Sequence, residues 1–217
     1  MTSPAVSFAG EIQGRVTIIQ GLTKKRVTLP NYQVRGMSVP AKQEGKTSID
    51  EISRVAVYLD VEAMAPTQEA SKVTLGQRNQ RFEPELLIVP VGTTVSFPNL
   101  DPIFHNVFSL SKPKQFDLGY YPAGETRTVK FGKAGIVQVY CHIHPDMNAA
   151  IVVATGTWFA QPGPDGTFVL RDVPGGAYQI VAWHKSAGFF RKEIQVPESG
   201  SVAVSFEIPV LEKEGVR

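Results

Sequence analysis

The single cysteine of this 217-residue chain lies in Cys141-His142-Ile143-His144-Pro145-Asp146-Met147. A thiol, an imidazole and a thioether therefore stand three residues apart in turn, at Cys141, His144 and Met147. Strand-like segments precede and follow them, so the stretch reads as a short loop presenting all three side chains together. A second imidazole, His105, occurs far upstream in Phe104-His105-Asn106-Val107. The intervening chain is long enough for several strands to bring both loops to one end of a β-sandwich. A soft thiolate, two imidazoles and a weak thioether are the donor set of a mononuclear blue-copper site. The thiolate bonds covalently to Cu(II) and offers an easy electron exit, and the imidazoles serve both oxidation states. A long, weak axial sulfur favours Cu(I) relative to a stronger axial donor without forcing a new geometry, so little reorganises when an electron moves. Zinc accepts Cys and His but has no use for a thioether.

Donors of this kind need stiff elements behind them, and strand signals dominate the chain. Segments 16–19, 55–58, 86–89, 94–97, 129–131, 136–140, 151–154, 167–170, 178–183 and 202–208 are short and rich in β-branched or aromatic residues. No window of helical length shows a clean 3.6-residue period. The best helical candidates are 48–54 and a turn near 63–70. The fold class read from this pattern is all-β. Segment 36–50 reads as a mobile surface insertion and 64–71 as a linker. Segments 162–166 and 172–176, dense in Gly, Pro and Asp, read as tight hairpin turns.

Residues 72–154 resemble a cupredoxin domain. Lys72-Val73-Thr74-Leu75-Gly76 is similar to its first strand, residues 81–97 to the next pair, and Phe104-His105-Asn106-Val107 to the segment bearing the first histidine ligand. The Cys-x2-His-x2-Met spacing is similar to the short ligand loop of the amicyanin-like branch. The resemblance implies a Greek-key β-sandwich holding one type 1 copper, with His105, Cys141, His144 and Met147 as ligands. It also implies that Asn106 ties the two ligand loops together, its backbone N–H pointing at the Cys141 sulfur. The His144 edge should lie nearer solvent than Cys141. His142 departs from the pattern, which favours a small or amide residue there. Strand-like alternation turns it away from the ligands, toward solvent or a partner.

A second resemblance flanks the first. Residues 10–18 and 55–59 are similar to the opening strands of a carboxypeptidase-regulatory, transthyretin-like sandwich. Residues 157–208 resemble its closing half, through Asp165-Gly166-Thr167-Phe168, Asp172-Val173-Pro174-Gly175-Gly176-Ala177-Tyr178 and Val202-Ala203-Val204-Ser205-Phe206. That half is too short to build a sandwich alone. The expected organisation is a cupredoxin domain at 72–154, inserted into or packed beside a discontinuous sandwich built from 8–62 and 156–210. Proteins with both modules resemble bacterial plastocyanin-like proteins of the methylamine-utilisation type.

Composition narrows the function. With 22 Lys plus Arg against 20 Asp plus Glu, the net charge of +2 is too even for a nucleic-acid binder acting through bulk charge. A chain 42% hydrophobic and 19% charged is globular, and at about 150 residues per domain it holds one or two domains. No apolar run approaches the roughly 20 residues of a membrane helix; Ala149-Ala150-Ile151-Val152-Val153-Ala154 is strand-sized. The lone cysteine excludes an internal disulfide framework. Met1 to Phe8 shows no basic segment followed by an apolar one, so no signal peptide is read there. Export to the periplasm is nevertheless expected, because bacterial blue-copper proteins resembling this chain work there.

The expected function is single-electron transfer without enzyme activity, with a redox protein partner such as a cytochrome c or a dehydrogenase. A periplasmic copper carrier or buffer is the alternative; Met-rich or His-rich tracts would favour it, but the chain has 4 of each residue. A multicopper oxidase would need more imidazoles, since only His142 and His184 remain beyond the proposed ligands. His184 reads as structural or interfacial. Ile103, Phe104 and Pro145 read equally as core or as a docking patch, and Lys112, Lys114 and Lys133 as a solvated face.

Overall fold

The structure, a computed structural model, describes residues 9–20, 51–61 and 73–210. The expected loop at 36–50, the linker at 64–71, the turn near 63–70 and positions 48–50 of the first helical candidate lie outside the described residues. Of that candidate, a single 3-10 turn, Ile52–Arg54, is formed.

The described chain is otherwise strands and turns. The strands are β1 (Ala9–Gln20), β2 (Val55–Asp60), β3 (Val73–Thr74), β4 (Gly76–Arg78), β5 (Arg81–Glu83), β6 (Leu86–Pro90), β7 (Thr94–Pro98), β8 (His105–Ser111) and β9 (Lys114–Tyr121). They continue with β10 (Thr126–Lys130), β11 (Gly135–Tyr140), β12 (Asn148–Ala154), β13 (Phe159–Ala160), β14 (Thr167–Pro174), β15 (Gly176–His184), β16 (Gly188–Val196) and β17 (Gly200–Pro209). The protein is an all-β sandwich fold, as its alternating patterns require.

The sheets pair off around two apolar cores. A sheet ordered β10-β7-β3 faces a five-stranded sheet ordered β6-β12-β11-β8-β9. Alternation on β7 sends Val95 and Phe97 inward, where they meet Phe82, Phe131, Val137 and Ile151. A sheet ordered β14-β1-β17 and another ordered β13-β2-β15-β16 enclose the second core, which includes Ile12, Leu59, Ile180, Phe206 and Ile208. Strand β1 pairs antiparallel with β14 and parallel with β17, so residues from the start and the end of the chain share one sheet.

Strand β12 explains the apolar run from Ala149 to Ala154. Ala149, Ile151 and Val153 point into the first core, while Ala150 and Val152 join a third apolar cluster with Leu86, Ala56 and Trp183. Ala56 and Trp183 belong to β2 and β15, so the second sheet pair covers the outer face of β12. A strand buried on both faces has no polar side to alternate with.

Two expectations need correction. Segment 162–166 is a turn, closed by the Gly166 N–H donating to Gly163 O at 2.8 Å, but it is not a hairpin. It joins β13 and β14, which lie in different sheets. Segment 172–176 likewise carries the chain from β14 in one sheet to β15 in the other. Turn residues report that the chain reverses, not which sheet receives it. Strands β8, β9 and β16 are also absent from the pattern of strand segments read in the sequence. Strands β9 and β16 are sheet edges whose charged and polar residues interrupt that pattern.

Candidate metal centre

Two neighbouring strands position the donors. His105 is the first residue of β8, and Cys141 follows the last residue of β11. The two strands run antiparallel side by side, with Tyr140 opposite Phe108, so the start of one and the end of the other share an edge. The loop leaving β11 closes on itself: the Cys141 N–H donates to Met147 O at 3.2 Å and the Met147 N–H to His144 O at 2.9 Å. The chain then returns as β12. Asn148 Nδ2 donates to Asp146 O at 3.0 Å and pins the turn.

His105 Nδ1 lies 3.2 Å from His144 Nδ1 and 4.0 Å from Cys141 Sγ, and that sulfur lies 3.7 Å from His144 Nδ1. Among the described residues these three form the group able to hold a metal ion. His105 and Cys141 are buried and His144 is half-buried, so the imidazole edge of His144 is the donor nearest solvent. Met147 is buried in the same apolar core as Cys141. Tyr121 stands opposite His105 in the β8–β9 pairing. Its buried hydroxyl accepts from Gln77 Nε2 at 2.5 Å and donates to Phe97 O at 3.0 Å, which anchors that end of the sheet.

The donors fit a copper ion in chemistry and in size. A point equidistant from the three lies about 2.1 Å from each, close to metal–imidazole lengths of about 2.0–2.1 Å and just short of a metal–thiolate length of about 2.3 Å. Burial, and then the charge of His105, hold the His144 imidazole below its ordinary pKa, which leaves a lone pair at neutral pH. The wall around the sulfurs is apolar and excludes water.

Asp101 was missed in the sequence. It is buried, and its Oδ2 lies 2.7 Å from His105 Nε2. The same carboxylate accepts the backbone N–H groups of Asn79 at 2.6 Å and Gln80 at 2.8 Å. Burial raises the Asp101 pKa, but the bonds from Gln80, His105 and Asn79 outweigh it and hold the group below the usual carboxylate range. The ionised Asp101 beside Nε2 holds the ring so that Nδ1 faces His144 and the Cys141 sulfur. The available signal was an acidic residue one turn-length before a candidate histidine.

Other highlighted residues fall outside the donor cluster. Asn106 is buried beside His105, and its Nδ2 donates to Asp117 Oδ1 at 2.7 Å, tying β8 to β9. His142 is exposed and stacks flat on Phe108, ring centres 3.9 Å apart, with Nε2 at 3.6 Å from Asp117 Oδ2. His184 is buried in the other sheet pair, where its Nδ1 accepts the Ser186 and Ala187 N–H groups. Ile103, Phe104 and Pro145 are exposed rather than core, and Leu100 and Ile143 extend that apolar surface.

No protein-family model and no curated protein matches the chain. Solved structures overlap it in part. A copper-containing nitrite reductase from Thermus scotoductus is 29% identical over 45% of this chain and 26% of its own, with a TM-score of 0.39. A purple cupredoxin from Nitrosopumilus maritimus is 26% identical over 40% of this chain and 100% of its own, with a TM-score of 0.34. A mutant of amicyanin in its Cu(I) form is 22% identical over 45% of this chain and 97% of its own, with a TM-score of 0.36. The chain thus spans about a quarter of the length of the nitrite reductase. Among the described residues, no helix is long and apolar enough to cross a membrane.

Proposed function

We propose that the chain is a type 1 copper electron-transfer protein, with His105, Cys141, His144 and Met147 as ligands of one copper ion. The observation that carries the reading is the convergence of two imidazole nitrogens and one cysteine sulfur within 3.2–4.0 Å. Bound there, copper supplies a one-electron couple between its cupric and cuprous states. The protein contributes the rest. Cys141 and His105 bind from a buried wall, Met147 stands ready as a weak fourth donor, and Asp101 holds the His105 ring. The Asn106 backbone N–H is assigned to the Cys141 sulfur. Because these donors sit on paired strands and a closed loop, they need not rearrange when charge changes.

Electrons enter and leave through the half-buried edge of His144. The exposed apolar residues Leu100, Ile103, Phe104 and Ile143 flank the two ligand loops and suit the face of a redox protein, such as a cytochrome c or a dehydrogenase. Residues 72–154 are assigned to a cupredoxin domain, and 8–62 with 156–210 to a transthyretin-like sandwich. A periplasmic setting, where copper is available to an exported protein, suits this role, which involves no enzyme chemistry. Electron self-exchange between oxidised and reduced protein, read from nuclear resonance line broadening, tests the function. Fast exchange supports it. Exchange too slow to broaden the lines points instead to a copper carrier or buffer.

A further inference from the structure

A side chain of the second sheet pair, Lys185, reaches the end of the metal loop. Lys185 follows the last residue of β15, and its Nζ donates to the carbonyl oxygen of Asn148 at 3.2 Å. Asn148 is the residue after Met147 and opens β12. The Lys185 side chain is 11% exposed and lies 3.8 Å from Glu85 Oε2. Glu85 also accepts Arg54 Nη2 at 2.9 Å, and its backbone carbonyl accepts the Ala150 N–H at 3.0 Å. The backbone that aims the lysine is itself tied down. The Lys185 N–H donates to Arg54 O at 3.1 Å, and the preceding His184 accepts the next two N–H groups.

The Lys185 ammonium reaches a backbone carbonyl at the foot of the ligand loop, a contact shorter than its approach to Glu85. That carbonyl follows the residue whose own N–H and C=O close the loop on His144 and Cys141. Fixing Asn148 O therefore fixes the exit of the loop, and with it the direction from which Met147 meets the other donors. A bond from a charged donor in a mostly buried setting is stronger than a neutral one.

We infer that Lys185 is a positioning residue through which the second sheet pair sets the conformation of the 141–147 loop. The sandwich outside the metal centre is then part of the site's mechanical support and not merely attached to it. The inference depends on the copper reading above only for its metal-loaded measurements.

Four full-length variants test it. In metal-free protein, Lys185→Met should speed amide hydrogen exchange at Cys141 and Met147 about tenfold, the loss expected for one charge-assisted hydrogen bond, while amides in β17 keep their rates. In copper-loaded protein it should speed copper release by a similar factor and shift the thiolate-to-copper absorption. Lys185→Arg, which keeps a charged donor, should restore most of both. Glu85→Gln removes the ionic partner but leaves the bond to Asn148, so it should leave the two loop amides unchanged. If Lys185→Met does not fold, Lys185→Gln should show the same local quickening to a smaller degree. Unchanged exchange at Cys141 and Met147 in a folded Lys185→Met or Lys185→Gln protein overturns the inference, as does an equal effect from Glu85→Gln. If the wild-type chain takes up no copper, the functional reading falls, yet the exchange measurement still decides the role of Lys185.

Discussion

Asp101 decides which nitrogen of His105 faces the loop. It does so because two N–H groups, from Asn79 and Gln80, keep it ionised while it is buried against Nε2. Asp101→Asn keeps one oxygen as an acceptor, puts an NH2 donor where the other oxygen stood, and removes the charge behind the ring. The expected result is about a 10- to 100-fold loss of copper affinity, measured by competition with a chelator, in a protein that still folds. Unchanged affinity would mean that Asp101 only shapes the loop. Met147 makes a different prediction. Leucine there removes a donor that favours Cu(II) more than bare apolar contact does, so Met147→Leu should raise the reduction potential. A lowered potential in a voltammetric measurement would tell against Met147 as the fourth ligand. His142, although adjacent to Cys141, packs outward on Phe108 and takes no part in the donor cluster.

Among the elements, the turn before β14 is the most sharply constrained. Gly166 has a φ of +80°, its carbonyl accepts the Val16 N–H at 2.8 Å, and a Cβ added there would drive into the Val16 carbonyl oxygen. Gly166→Ala should cost about 2–4 kcal/mol in urea unfolding, through left-handed strain plus the lost approach to β1. The copper absorption of the folded fraction should not change, because that turn serves the other core. A cost below about 0.5 kcal/mol would contradict the observed approach, since only unconstrained surface positions are that tolerant. The same scale explains what the sequence made legible. Central strands such as β7, β11 and β12 announce themselves, because burial demands unbroken or alternating apolar residues. The ligand loop is legible because Cys141, His144 and Met147 are local and chemically unusual. Strands β9 and β16 were not, because polar and charged residues at the sheet edges blur the period, and β8 was not, because its polar residues His105, Asn106 and Ser109 are buried. Asp101 escaped because its partners come from a distant turn, where Asn79 and Gln80 adopt positive φ, a feature no spacing rule reveals. The two misread hairpins show that turn chemistry is local while sheet membership is not.

Over the whole molecule, the two cores are joined by the Ala56, Leu86, Ala150, Val152 and Trp183 cluster and by the ion pairs around Glu85. His184 sits beneath this junction with Nε2 at 3.1 Å from Glu51 Oε2. Burial, then the charge of Arg54, lower its pKa to about 4, from about 6.5 in the unfolded chain. The folded protein thus refuses a proton that the unfolded chain accepts. The stability contributed by His184 is complete above pH 6.5 and is lost as pH falls toward 4, by about 3 kcal/mol in all. Urea unfolding at pH 7.5 and 4.5 should show this loss, and His184→Gln should flatten it. Equal slopes for the two proteins would place the pH dependence elsewhere. The central claim concerns the copper centre, and titration of metal-free full-length protein with copper, followed by visible absorption, tests it most directly. The account predicts uptake of one equivalent with an intense thiolate-to-copper band that Cys141→Ala abolishes; binding without that band, or colour that survives Cys141→Ala, would contradict it.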